Sequence, residues 1–205
     1  MTRSPTAART TGALLIGGLL AVAAAFLLLS PTSPPASPPR VERPTEQSGG
    51  WRGALPGPAD GVVPDGVTVF DDVPAVSNLD PDLLGALRRA ARDAAGDGIG
   101  FAVNSGWRSP AYQEQLLREA VAQHGSQAEA ARWVATVATS PHVSGDAVDL
   151  GGAEATAWLA ENGATYGLCR VYRNEPWHYE LHADAADRGC PRMYADPTQD
   201  PRMAQ

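Results

Sequence analysis

Between Gly12 and Leu29 the chain runs eighteen residues without a charge, GALLIGGLLAVAAAFLLL, behind Arg3 and Arg9. At 1.5 Å rise per residue a helix of that length spans about 27 Å, close to the hydrocarbon thickness of a bilayer. The run is longer than the usual apolar region of a cleaved leader, and no Ala-x-Ala site follows it. Residues 1–30 therefore read as a signal anchor, with a cleaved signal peptide as the alternative. The two arginines ahead of the span place the N-terminus in the cytoplasm and the body outside. Residues 31–59 follow with PTSPPASPPR, Pro44, Gly49, Gly50, Pro56 and Pro58. A stretch so rich in proline favours extended backbone and buries no core, so it reads as a linker. Everything that can pack must then come from residues 60–205, room for one domain.

Charge divides at the same place. Residues 1–60 carry five Arg against three acids, and the remainder eleven Arg against twenty acids. An acidic body argues against nucleic acid as partner, since binders neutralise phosphates with a basic patch. All sixteen basic residues are Arg, with no Lys. That excludes a Walker-type phosphate loop, a pyridoxal Schiff base and a Ser-x-x-Lys peptidase.

Within the body, Asp80-Pro81 and Ser109-Pro110 are cap-plus-proline signals for helix starts. Leu83, Leu84, Leu87 and Ala91 continue the first helix at helical spacing to Gly96. Leu116, Leu117 and Ala120 continue the second. A third helix is expected over 127–137 and a fourth over 154–161, ended by Asn162-Gly163. Short strands are expected at 67–70, 99–103, 147–150, 168–172 and 177–181. Helices interspersed with short strands predict an α+β fold. Cys169 and Cys190 are the only cysteines. In an extracytoplasmic protein the pair is expected as a disulfide, worth about 3 kcal/mol by loop closure. Two unrelated buried thiols are the alternative.

Chemistry concentrates in two stretches. In SPHVSGDAVDL, His142 and Asp149 stand seven apart with Gly145 between them, and Asp149 lies inside the apolar run 147–150. A carboxylate there needs a strong partner, because an unpaired buried charge is costly, and a metal is one such partner. In NEPWHYELH the alternation puts Trp177, Tyr179 and Leu181 on one strand face and His178, Glu180 and His182 on the other. Glu175 then belongs to the loop before the strand. Catalytic zinc commonly takes three protein ligands and leaves one position for water. His142, Asp149 and His178 would supply them, with Glu175 as general base toward the zinc-activated water. Arg108 offers a fixed charge for a carboxylate or an oxyanion. His182 is a rival ligand by helical spacing to His178. Glu180 reads equally as a partner of a ligating histidine or as a solvated strand residue, and Trp107 and Trp177 as cleft walls or core. His124 reads as an exposed helix end.

Three blocks taken together, SGWRSPAYQEQL at 105–116, SPHVSGDAVDL at 140–150 and EPWHYE at 175–180, resemble the VanY-type D-alanyl-D-alanine carboxypeptidases, zinc peptidases of bacterial peptidoglycan. The resemblance covers roughly residues 80–185. It implies a small central antiparallel sheet with flanking helices, shared with lysostaphin-like enzymes and the hedgehog domain. It also implies His142, Asp149 and His178 as zinc ligands, Glu175 as base, and Arg108, Gln113 and Ser140 at the substrate's carboxylate end or the oxyanion. It implies trimming of the terminal D-Ala of peptidoglycan stem peptides; with the apolar N-terminal span, the expectation is a membrane-anchored or secreted extracytoplasmic protein, and a monomer. An endopeptidase, or a non-catalytic wall-binding or signalling module, on the same fold are the alternatives. Pro141 and the C-terminal tail match no family pattern.

Overall fold

The computed structural model describes residues 55–204. The anchor or signal-peptide reading of residues 1–30, and the linker up to residue 54, lie outside the described residues. Among the described residues no helix is long and apolar enough to cross a membrane.

In chain order the elements are α1 (Pro74–Ser77), α2 (Pro81–Gly96), β1 (Ala102–Ser105), α3 (Pro110–His124), α4 (Gln127–Ala130), α5 (Pro141–Ser144), β2 (Ala147–Gly151), α6 (Ala153–Asn162), β3 (Leu168–Arg170), β4 (His178–Leu181) and α7 (Ala185–Arg188). Single 3-10 turns stand at Pro58–Asp60, Gly163–Tyr166, Pro197–Gln199 and Pro201–Met203. The four strands make one sheet in the order β1-β2-β4-β3, every pair antiparallel. This is the α+β architecture expected from the sequence.

The longest helix starts where its signal stands. The Asp80 carboxylate accepts from the backbone N–H groups of Asp82 (2.9 Å) and Leu83 (3.1 Å), and Pro81 occupies the first helical position. Leu83, Ala86, Leu87, Ala90, Ala91 and Ala94 form its buried stripe. That stripe shares one core with Val103, Val148, Leu150 and Tyr179 of the sheet and with Leu159 of α6. Burying each of the two leucines stabilises the fold by about 1.5–3 kcal/mol. Ser109 caps α3 in the same way, its hydroxyl accepting from Tyr112 N–H at 3.1 Å.

Three expectations are corrected. The helix over 127–137 stops at Ala130, because carbonyls beyond it serve other segments: Asn174 Nδ2 donates to the Arg132 carbonyl and Gln113 Nε2 to that of Ala135. The strand over 67–70 reduces to one bridge, Thr68 to Ala102, since Asp71 folds back to accept from Thr68 N–H and Oγ1. The strand expected at 99–103 is shifted to Ala102–Ser105.

The cysteines form the disulfide Cys169–Cys190. It fastens the C-terminal segment to β3. That segment then runs beside 171–174: Tyr194 N–H donates to the Val171 carbonyl, and Arg173 and Asn174 N–H groups donate to the carbonyls of Tyr194 and Ala195. The stretch leading into Glu175 is thus fastened to the C-terminal segment.

Candidate metal centre and catalytic cleft

Register builds the centre. Asp149 of β2 lies directly across from His178 of β4, and Val148 across from Tyr179. Because side chains alternate, the apolar pair goes to the helices while the carboxylate and imidazole share the opposite face. On the other side of β2, Ser105 lies across from Asp149 after an irregularity in β1. Strand β2 is buried along its whole length, so Asp149 sits at the floor of the cleft and not at its rim.

His142 reaches the same point from α5. The turn that delivers it needs a glycine at its end: Gly145 has φ 86°, and a Cβ there would stand 2.5 Å from the Asn78 carbonyl oxygen. The Asp80 N–H donates to the Gly145 carbonyl at 2.9 Å and locks the turn onto the start of α2. His142 Nδ1–H donates to the Gly106 carbonyl (2.8 Å), which leaves Nε2 facing Asp149 Oδ1 at 3.4 Å. His178 is turned the other way. Its Nδ1 lies 3.0 Å from Asp149 Oδ1, and its Nε2 lies 3.3 Å from Glu180 Oε1. One ligand atom from each of His142, Asp149 and His178 falls within 4.8 Å of the others, and all three residues are buried.

The electrostatics suit a cation. Burial, then the Arg108 guanidinium, push His142 below its usual range. Burial acts on His178 in the same sense, but Asp149 and Glu180 outweigh it and raise it to about 9. Asp149 stays well below the usual carboxylate range despite its burial, held there by the two imidazoles. Glu175 differs from all three. Burial pushes it up to about 7, its Oε2 lies 3.8 Å from His178 Nδ1, and its buried Oε1 has no hydrogen-bond partner among the described residues. The buried Ser140 hydroxyl has none either. Two imidazoles and a carboxylate converge beside an unpartnered carboxylate oxygen. This donor set fits zinc with a water and a general base.

The cleft above this floor has a volume of about 560 Å³. Arg108, Gln113, Ser140 and Glu175 line it near the cluster. Trp133, Trp177 and Met203 line it as well. Arg108, Gln113, Ser140, His142, Asp149, Glu175 and His178 all line this one cleft. Arg108 is tied down on three sides: Nε donates to Ser105 Oγ (2.9 Å), one terminal nitrogen to Gln113 Oε1 (3.1 Å) and the other to Asp149 Oδ2 (3.1 Å). Gln113 is buried with both amide ends engaged, by Arg108 and by the Ala135 carbonyl. His182 is not among the converging ligands. His124 ends α3 and stacks on Trp133, ring centroids 6.1 Å apart. Trp177 is a half-exposed cleft wall, whereas Trp107 does not line the cleft.

The structure decides one alternative the sequence left open and adds one feature it did not indicate. Glu180 is a partner of His178 and not a solvated residue: it is 4% exposed and held by Arg202. The C-terminal segment also returns to the cleft, with Pro197 and Met203 on its wall. A signal for the tail stands in the chain. Asp196-Pro197 and Asp200-Pro201 repeat the cap-plus-proline pattern that marks α2, and both aspartates do cap 3-10 turns.

Known proteins share this arrangement of sequence and fold. Residues 76–184 match the family model of VanY, D-alanyl-D-alanine carboxypeptidase. A D-alanyl-D-alanine carboxypeptidase of Enterococcus faecalis (strain ATCC 700802 / V583) is 35% identical over 111 residues, 42% of this chain and 41% of the relative. The chain thus spans about two fifths of that relative's length. Among solved structures, a mutant of the vancomycin-resistance D,D-pentapeptidase VanY from a VanB-type cassette, in complex with Zn(II), is 31% identical. It superposes with a TM-score of 0.50, covering 54% of this chain and 76% of that one. VanYB in complex with D-alanine-D-alanine is 30% identical with a TM-score of 0.50, over 54% and 75% of the two chains. The family match ends at Asp184, so the tail that contributes Pro197 and Met203 to the cleft wall lies outside it.

Proposed function

The chain belongs to the VanY family of D-alanyl-D-alanine carboxypeptidases, and from that premise we propose that it is a zinc-dependent carboxypeptidase releasing the terminal D-Ala of peptidoglycan stem peptides. The observation that carries the reading is the convergence of His142, Asp149 and His178 within 4.8 Å, beside a Glu175 oxygen with no partner. His142 Nε2, an Asp149 oxygen and His178 Nδ1 would hold the zinc. Bound there, the metal supplies Lewis acidity, lowering the pKa of a water and polarising the scissile carbonyl. The rest is the work of the chain's own groups. Glu175 takes the proton of the attacking water at the oxygen left unpartnered, and returns it to the departing amine. A carboxylate poised near 7 suits both transfers. The Arg108 guanidinium fixes Asp149 Oδ2 and brings positive charge to the cleft, for the substrate's terminal carboxylate or the developing oxyanion. Gln113 holds Arg108 in that pose, and the Ser140 hydroxyl is free to bond the substrate.

An extracytoplasmic placement accompanies this reading, with the chain anchored by Gly12–Leu29 or released after cleavage. The disulfide supports it, since such bonds persist in oxidising compartments. All the proposed groups come from one chain, which accords with a monomer.

Mass spectrometry of defined muropeptides, incubated with the purified protein and zinc, tests the proposal. Loss of one terminal alanine is the expected result. Scission inside the stem or crossbridge would establish the endopeptidase alternative, and intact peptides would leave a binding module.

A further inference from the structure

We infer that Arg202, in the C-terminal segment beyond the family match, is a positioning residue for the metal ligand His178 and acts through Glu180. The inference rests on the zinc-site reading above. Its geometry is continuous. His178 presents Nδ1 to Asp149 and leaves Nε2 to the Glu180 carboxylate at 3.3 Å. Glu180 is in turn gripped by both terminal nitrogens of Arg202, Oε2 at 2.6 Å and Oε1 at 3.2 Å. The same guanidinium binds Asp200, at 2.6 Å from a terminal nitrogen and about 3 Å from Nε. Asp200 also accepts from the Tyr172 hydroxyl at 2.9 Å.

An ordinary surface ion pair contributes little, because water screens it and two long side chains must be ordered. This pair is of another kind. The Arg202 side chain is half exposed, but the Glu180 side chain is 5% exposed and that of Asp200 fully buried. Two carboxylates under the sheet face therefore depend on one planar fork, which only Arg provides in that form. A histidine that ligates through one ring nitrogen is oriented by what its other nitrogen meets. Loss of such an outer partner typically weakens metal binding by about 10–100-fold. Here the outer partner is itself oriented from the tail. Nearby, the Cys169–Cys190 disulfide brings that tail to the sheet, and Cys169 lies directly across from Glu180 in the β3–β4 ladder. Covalent tether and guanidinium clamp thus converge on the strand that carries His178.

The test is zinc affinity, measured by chelator competition on the full chain with no substrate present. Compared are the parent, Arg202→Met, Arg202→Lys, Glu180→Gln and the double variants, with folding followed by circular dichroism. Arg202→Met should weaken zinc binding by about 10-fold or more. Arg202→Lys, which keeps the charge and loses the fork, should recover part of it. In the Glu180→Gln background Arg202→Met should add less than about twofold, because the path is already cut. An Arg202→Met protein that binds zinc within about twofold of the parent overturns the inference. So does a loss of equal factor with and without Glu180, which would mark a merely structural tail. Should Arg202→Met fail to fold, the same cycle with Arg202→Lys decides. A parent that binds no stoichiometric zinc removes the underlying site as well. A parent that binds it while the variants match it removes only this inference.

Discussion

The two faces of the sheet are built from alternate residues of the same strands and obey different rules. On the helix side, Val148, Leu150 and Tyr179 pack against α2 and α6 in a continuous apolar layer. On the cleft side, Asp149, His178 and Glu180, their immediate neighbours in sequence, are buried as well, yet each is held by named partners. Apolar packing is non-directional, so the first face responds to substitution by degrees. A buried polar cluster is stable only as a set, because a group deprived of its partner loses both water and bond. The comparison teaches where stability and chemistry separate. The first face should govern whether the domain stays folded, and the second what it can do once folded.

The sharpest way to break that division is Glu175→Gln. The amide keeps the size and a hydrogen-bonding group but cannot take a proton, so D-Ala release should fall by about 10²–10⁴-fold. Zinc content and melting temperature should stay with the parent, since Glu175 stands outside both the ligand set and the apolar core. Near-normal release, measured beside zinc content at one pH, would sink the assigned base.

Next in size is Leu87→Ala on the helix side. Leu87 is fully buried in the layer shared with the sheet. Its truncation should cost about 2–5 kcal/mol of unfolding free energy in denaturant titration. Zinc stoichiometry of the fraction that remains folded should be unchanged. A loss below about 1 kcal/mol would mean that α2 is not the layer on which the sheet rests.

The smallest effect belongs to the tail. Burial acts to raise Asp200, but the Arg202 guanidinium and the Tyr172 hydroxyl hold it below the usual carboxylate range. A carboxyl whose folded pKa is depressed adds stability that is complete above its unfolded pKa of about 3.9. That share is lost as the pH falls through the lower folded value. The melting temperature of the parent should therefore drop below about pH 4 more steeply than that of Asp200→Asn. Parallel acid limbs for the two proteins would show that Asp200 carries no linked proton.

Much of this protein is legible one segment at a time. The caps of α2 and α3 are written as Asp80-Pro81 and Ser109-Pro110, the alternation around His178 as WHYEL, and the ligand residues within short blocks. Such features are readable because a cap or an alternation is decided by consecutive residues. The disulfide was legible for another reason, since only one pairing was possible. Tertiary structure decided the rest. It set Asp149 across from His178, ended α4 at Ala130 by drawing carbonyls to Gln113 and Asn174, and turned Glu180 into a partner of His178. It also brought Arg202 back over 22 residues to grip Glu180, and Arg108 across 41 to meet Asp149. No local pattern contains the Arg202–Glu180 and Arg108–Asp149 pairings. Each long-range pairing exists because the packed fold takes at least one polar group, Asp149 or Glu180, out of water and sets a distant guanidinium beside it as its partner.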